Sequence, residues 1–133
     1  MEAKRSRYFS IGVEDKPGEL AKFAKRLKDA GVNLAGLWGF GMGAGKGQFM
    51  AVPEDAAKFK KALEGSPWKA TEQTCFYVTG EDRVGALCEI LDRVAGAGIN
   101  LQAVDGIGLG GRCGAYLWTD PKDVEKVAKI LKV

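Results

Sequence analysis

Two stretches hold the residue types best suited to gripping a small charged molecule. They are Glu14-Asp15-Lys16-Pro17-Gly18-Glu19-Leu20 and Glu81-Asp82-Arg83-Val84-Gly85-Ala86-Leu87. Each opens a helical stretch, so backbone N–H groups without intrahelical partners, at the positive end of the helix dipole, stand beside a carboxylate. Donors around Gly18 and Glu19 suit an anionic group, Asp15 can neutralise a cation, and glycine lets a ligand approach the backbone. Each helical stretch ends in a matching phrase, Ala30-Gly31-Val32-Asn33-Leu34 and Ala97-Gly98-Ile99-Asn100-Leu101, whose Asn33 and Asn100 can both donate and accept. The same residues also have plainer uses: Asp15 as a helix cap, Gly18 as turn relief, Asn33 as a turn residue.

Catalytic readings of these residues fare worse. The pairs Glu14-Asp15 and Glu81-Asp82 resemble acid–base pairs, but adjacent side chains of extended backbone point to opposite faces and do not converge. The chain has no histidine, which removes Ser-His and Cys-His nucleophiles and every His-containing metal site. Cys75, Cys88 and Cys113 form neither a CxxC motif nor an even set, so no disulfide framework or zinc site is expected. The run from Gly39 to Gly47 fails as a phosphate loop, because Phe40 falls on the required first glycine and Gly47 on the required Ser or Thr. Gly106-x-Gly108-x-x-Gly111 matches a dinucleotide fingerprint formally, yet a strand follows it where a helix is needed. Both runs read as mobile glycine-rich hairpins. Trp38, Trp68, Trp118 and Tyr116 read as core or interface aromatics, and the strands near them lack the basic interleaving of an RNA-binding sheet.

The elements that must position these residues come in duplicate. Strands are expected at Arg7–Val13, 33–40 and 46–52, with helices from Leu20 to Gly31 and from Pro53, placed at a first helical position, to Gly65. The second half repeats the order with strands at 74–78, 100–107 and 114–119. Its helices carry Leu87, Ile90, Leu91 and Val94, and then Val124, Val127, Ala128 and Leu131 behind an Asp120 cap. Roughly a third of the aligned positions are identical over a repeat of ~65 residues, which marks a duplicated module. With 133 residues, 46% apolar and 28% charged, the chain has the composition of a globular protein. A net charge of +3, with lysines spread over helix faces, argues against a nucleic-acid patch. Lys4-Arg5-Ser6-Arg7 reads as a short basic tail. No apolar run is long enough for a signal peptide or a membrane span, so the cytoplasm is the expected location.

Strand, Asp-x-Pro-Gly-x-Leu turn, helix, Ala-Gly-Val-Asn-Leu, two strands and a helix together resemble the ACT domain, a ligand-binding module of amino-acid metabolism. The resemblance covers both halves, 7–74 and 75–133. It implies an α+β chain of two ferredoxin-like βαββαβ sandwiches in tandem, a non-enzymatic regulatory protein that binds a small amino acid between modules. It implies neither cofactor nor metal, and a partner enzyme or regulator under its control. The implied ligand residues are Asp15, Pro17, Gly18, Glu19, Leu20, Val32 and Asn33, with Asp82, Gly85 and Asn100 in the second copy. Because Val84 replaces the turn proline there, Asp15→Ala and Asn33→Ala are expected to weaken binding more than their counterparts. A ligand-free structural dimer module and a small enzyme using Asp15 or Asp82 with Arg83 or Arg112 are the alternatives. Segment 68–73 can supply the first half's fourth strand, whereas nothing after Val133 supplies the second's. The open edge at 74–78 would be closed by pairing the two first strands, by sharing the linker, or by a partner chain; a homodimer is expected.

Overall fold

Phe9, Ile11 and Val13 alternate along the first strand and all face one apolar cluster, the pattern of a half-buried strand. That strand is β1 (Glu2–Glu14) of a computed structural model that describes residues 1–133. It is followed by α1 (Glu19–Asp29), β2 (Leu34–Gly43), β3 (Lys46–Pro53), α2 (Ala56–Ala62) and β4 (Ala70–Glu81). The order then repeats through α3 (Cys88–Gly96), β5 (Leu101–Leu109), β6 (Arg112–Thr119), a 3-10 turn at Pro121–Asp123 and α4 (Val124–Leu131). No helix is long and apolar enough to cross a membrane.

The chain forms two compact units, one of Arg7–Gln73 and one of Met1–Ser6 with Thr74–Val133. In the first the strand order is β2-β3-β1-β4, and in the second β5-β6-β4-β1. Each is the ferredoxin-like order, with paired strands antiparallel. Phe23 and Leu27 of α1 and Phe59 of α2 cover Phe9, Ile11, Phe49 and Ala51 in the first unit. Ile90 and Val94 of α3 with Val127 of α4 cover Phe76, Val78 and Leu117 in the second.

The second repeat does have a fourth strand, and it comes from ahead of the first repeat. Residues 2–6 are strand rather than basic tail. Ala3 packs against the cluster of Phe76, Val78 and Val94, and the Arg5 guanidinium donates to both carboxylate oxygens of Glu125 at 2.8 and 2.9 Å. The edge expected to be open at 74–78 is thus covered by residues 2–6 of the chain's own β1, a segment that none of the three expected closures included. The sheet-edge argument for a partner chain falls away. An Ala3→Asp chain should lose roughly 1–3 kcal/mol in urea unfolding, because a carboxylate would be left unpaired beside the core. Exposed Glu2→Ala serves as the neutral comparison, and equal stabilities would show residues 2–6 to be a tail after all.

Pro53 also departs from expectation. It ends β3 opposite Leu34, where its missing N–H costs little, and α2 starts three residues later behind Asp55. Asp55 Oδ1 accepts from the Lys58 N–H at 3.0 Å. Asp120 caps as expected, its carboxylate accepting from the Lys122 N–H.

Candidate functional site

After each first strand the chain turns at an aspartate tied to the neighbouring hairpin. The Asp15 N–H donates to the Gly45 carbonyl and the Asp82 N–H to the Gly111 carbonyl, both at 3.0 Å. Three residues on, Gly18 (φ 89°) and Gly85 (φ 77°) take the left-handed conformation that side chains with a Cβ rarely adopt. No side chain caps α1 or α3; the first N–H of each donates instead to a turn carbonyl, Glu19 N–H to Lys16 at 3.4 Å and Cys88 N–H to Gly85 at 3.0 Å. With Pro17 fixing the turn, α1 begins directly after Gly18. In the second unit Val84 is fully exposed, the turn runs on through Leu87, and α3 starts two positions later in the repeat.

The glycines of β2 and β5 form the floor beneath these turns. A Cβ on Gly41 would stand 2.7 Å from Asp15 Oδ2, and one on Gly108 would stand 2.9 Å from Asp82 Oδ2. One alternation away, a Cβ on Gly39 would meet Leu20 at 3.5 Å and one on Gly106 would meet Leu87 at 3.7 Å. In both units the aspartate and the leucine of the turn therefore lie on bare backbone of an outer strand. These glycines pack against the turns rather than loosening a hairpin. The repeated Gly-x-Gly spacing, on one face of a strand by its period of two, was the available signal.

A cavity of about 280 Å³ opens in the second unit, lined among others by Asp82, Arg83, Gly85, Leu87, Gly106 and Gly108. That volume sits at the small end of ligand pockets and suits a molecule of amino-acid size. Its charged groups are of both signs, one carboxylate and one guanidinium, and Arg83 Nη2 also reaches Glu89 at 3.4 Å. In the first unit Lys16 takes the matching position but bonds Glu14 at 2.9 Å. That bond holds the Glu14 carboxyl below its ordinary range and the Lys16 ammonium above it.

The remaining expected ligand residues are not gathered here. Glu19 lies between Lys16 and Lys22, at 3.7 and 3.9 Å, and Leu20 is partly exposed over Gly39. Pro17 is exposed beside them. Val32 is buried in the first core and offers a ligand no side chain. Asn33 sits at the far end of α1: its carbonyl accepts from Glu54 N–H where β2 begins, while Asp15 is tied to Gly45 where β2 ends. The eleven residues of α1 span about 16 Å, so Asp15 and Asn33 of one unit do not meet on one small ligand. Asn100, just before β5, is separated from Asp82 in the same way.

No family model and no curated protein matches this sequence. Solved structures do match it along nearly its whole length. Protein BT0572 from Bacteroides thetaiotaomicron superposes with a TM-score of 0.85 at 21% identity, covering 98% of this chain and 88% of that one. The ligand-free regulatory subunit of aspartate kinase from Thermus thermophilus gives 0.67 at 17% identity, covering 99% and 95%. Its counterpart from Thermus flavus gives 0.64 at 15% identity, covering 99% and 95%. The fold is therefore the tandem ACT-type one, two ferredoxin-like βαββαβ repeats in a single chain.

Proposed function

We propose that the protein is a non-catalytic regulatory module that binds a free amino acid and acts on a partner enzyme or regulator. The observation that carries this reading is the second unit's cavity, in which a carboxylate and a guanidinium line a volume of about 280 Å³. A zwitterion needs that pairing: Asp82 for the ammonium and Arg83 for the carboxylate. Fold-level likeness to regulatory subunits of aspartate kinase supports the role by analogy. Asp15 with Gly18, Glu19 and Leu20 forms the corresponding candidate site of the first unit. A ligand touched by an aspartate of this kind and by Asn33 or Asn100 would lie between modules rather than within one, and a homodimer is the assembly this reading carries. The cytoplasm is the setting this reading implies.

A thermal-shift screen of the free amino acids against the full chain, with ATP alongside, is the test. The selected amino acid should stabilise by roughly 2.7 kcal/mol at a hundred times its Kd. In calorimetric titration Asp82→Ala should weaken binding at least about tenfold, the loss of one charge-assisted hydrogen bond. The intact Pro17-Gly18 turn assigns the larger loss to Asp15→Ala, and the cavity assigns it to Asp82→Ala; we place it on Asp82. Binding of no amino acid would leave a structural dimer module as the better reading.

A further inference from the structure

Two of the three cysteines, Cys88 and Cys113, line the same cavity as Asp82 and Arg83. Cys88 is the exposed first residue of α3. Cys113 lies on β6 opposite Gly108, the glycine beneath the Asp82 carboxylate. They come from different elements and share no local motif, so the fold alone brings both thiols to one cavity. The first unit has neither. Ala21 follows Leu20 as Cys88 follows Leu87, and Gly47 pairs with Gly41 as Cys113 pairs with Gly108. Cys75 is the contrast within the second unit: it is fully buried, and burial pushes its thiol up to about 12. It serves as a small apolar side chain.

We propose that this cavity is a thiol-exchange site for the disulfide of an amino acid, of the cystine class. The proposal rests on the amino-acid reading above and deepens it. Asp82 and Arg83 would hold the ammonium and carboxylate of one half of the ligand, placing its sulfur among the two thiols. A cavity thiolate attacks that sulfur; the ligand S–S bond breaks as a protein–ligand disulfide forms, and the departing thiolate takes up the proton the cysteine lost. The ligand is itself the oxidant. The half that stays is a single amino acid, the size the cavity admits, and the other half leaves past the exposed Cys88. Free thiols reverse the adduct by the same exchange, so the second unit would report the oxidised fraction of its ligand.

The experiment treats the reduced full chain with cystine or with bis(2-hydroxyethyl) disulfide, which carries neither carboxylate nor ammonium. Adducts are followed by intact mass and located by peptide mapping. Cystine should modify Cys88 or Cys113 at least about tenfold faster than the neutral disulfide, with Cys75 unmodified, a preference equivalent to one good polar contact. Unfolding in urea or Asp82→Ala should erase the preference. Equal rates for the two disulfides in the folded chain, modification at Cys75, or no adduct would overturn the proposal. Titration of the reduced chain with free amino acids decides the underlying reading separately, since it requires no thiol chemistry.

Discussion

Replacing Phe23 by alanine should cost the Arg7–Gln73 unit about 3–5 kcal/mol, the largest single-residue loss expected in it. Phe23 is fully buried, with its ring centroid 5.3 Å from that of Phe49, 6.2 Å from Phe59 and 5.5 Å from Trp68. Those rings come from β3, α2 and the segment before β4, so a single side chain of α1 joins the three elements packed around it. Alanine would remove the ring and leave a void that rigid aromatic neighbours fill poorly. Aromatic edge contacts add to the burial lost. Leu20→Ala, on the same helix but partly exposed over Gly39, should cost far less. Urea unfolding of the full chain, followed by circular dichroism and by tryptophan fluorescence, measures both. A Phe23→Ala loss below about 1 kcal/mol would show that the cluster closes over the gap.

The alternation of Phe9 and Ile11, the helical spacing of Phe23 and Leu27, and the same patterns around Phe76 and Val94 made the order of elements legible, because each is a local periodicity. The fourth strand of the second repeat was not. Glu2 to Ser6 is mostly charged or polar, only Ala3 packs on the core, and Arg5 finds its partner 120 positions away. Pairing at that separation leaves no local trace. Pro53 misled for a related reason: a residue without an N–H suits both a first helical turn and a strand end, and the Asp55 cap settled which.

At the site, the repeated spacing exposed Asp15 and Asp82 with Gly18 and Gly85, since turn and helix start are adjacent in sequence. Asn33 and Asn100 shared that repeated spacing, but an intervening helix carries them to the opposite end of their units. The glycines of β2 and β5 were visible as glycines only. Their use depends on what rests above them, and the turn that rests there is set by packing rather than by neighbouring residues.

That floor is where a small change should have the most selective effect on binding. Gly108→Ala places a methyl 2.9 Å from the present position of Asp82 Oδ2, closer than carbon and oxygen tolerate. The carboxylate is the mobile end of its side chain, so Asp82 swings away and the fold stays. Alanine in a strand even gains roughly 0.5–1 kcal/mol over glycine through the unfolded chain. Stability in urea should hold or rise slightly, while the amino acid selected in the thermal-shift screen loses the charge-assisted bond to its ammonium. That bond is worth about 1.5–3 kcal/mol, so Kd should rise roughly ten- to a hundredfold. Gly41→Ala makes the same displacement of Asp15 in the first unit, where the clearance is 2.7 Å. Gly12→Ala meets nothing within 4 Å and should leave Kd unchanged. If Gly108→Ala binds as tightly as the unaltered chain, the ammonium is not held by Asp82 over that glycine. If it binds weakly only because it unfolds, the urea transition will show it.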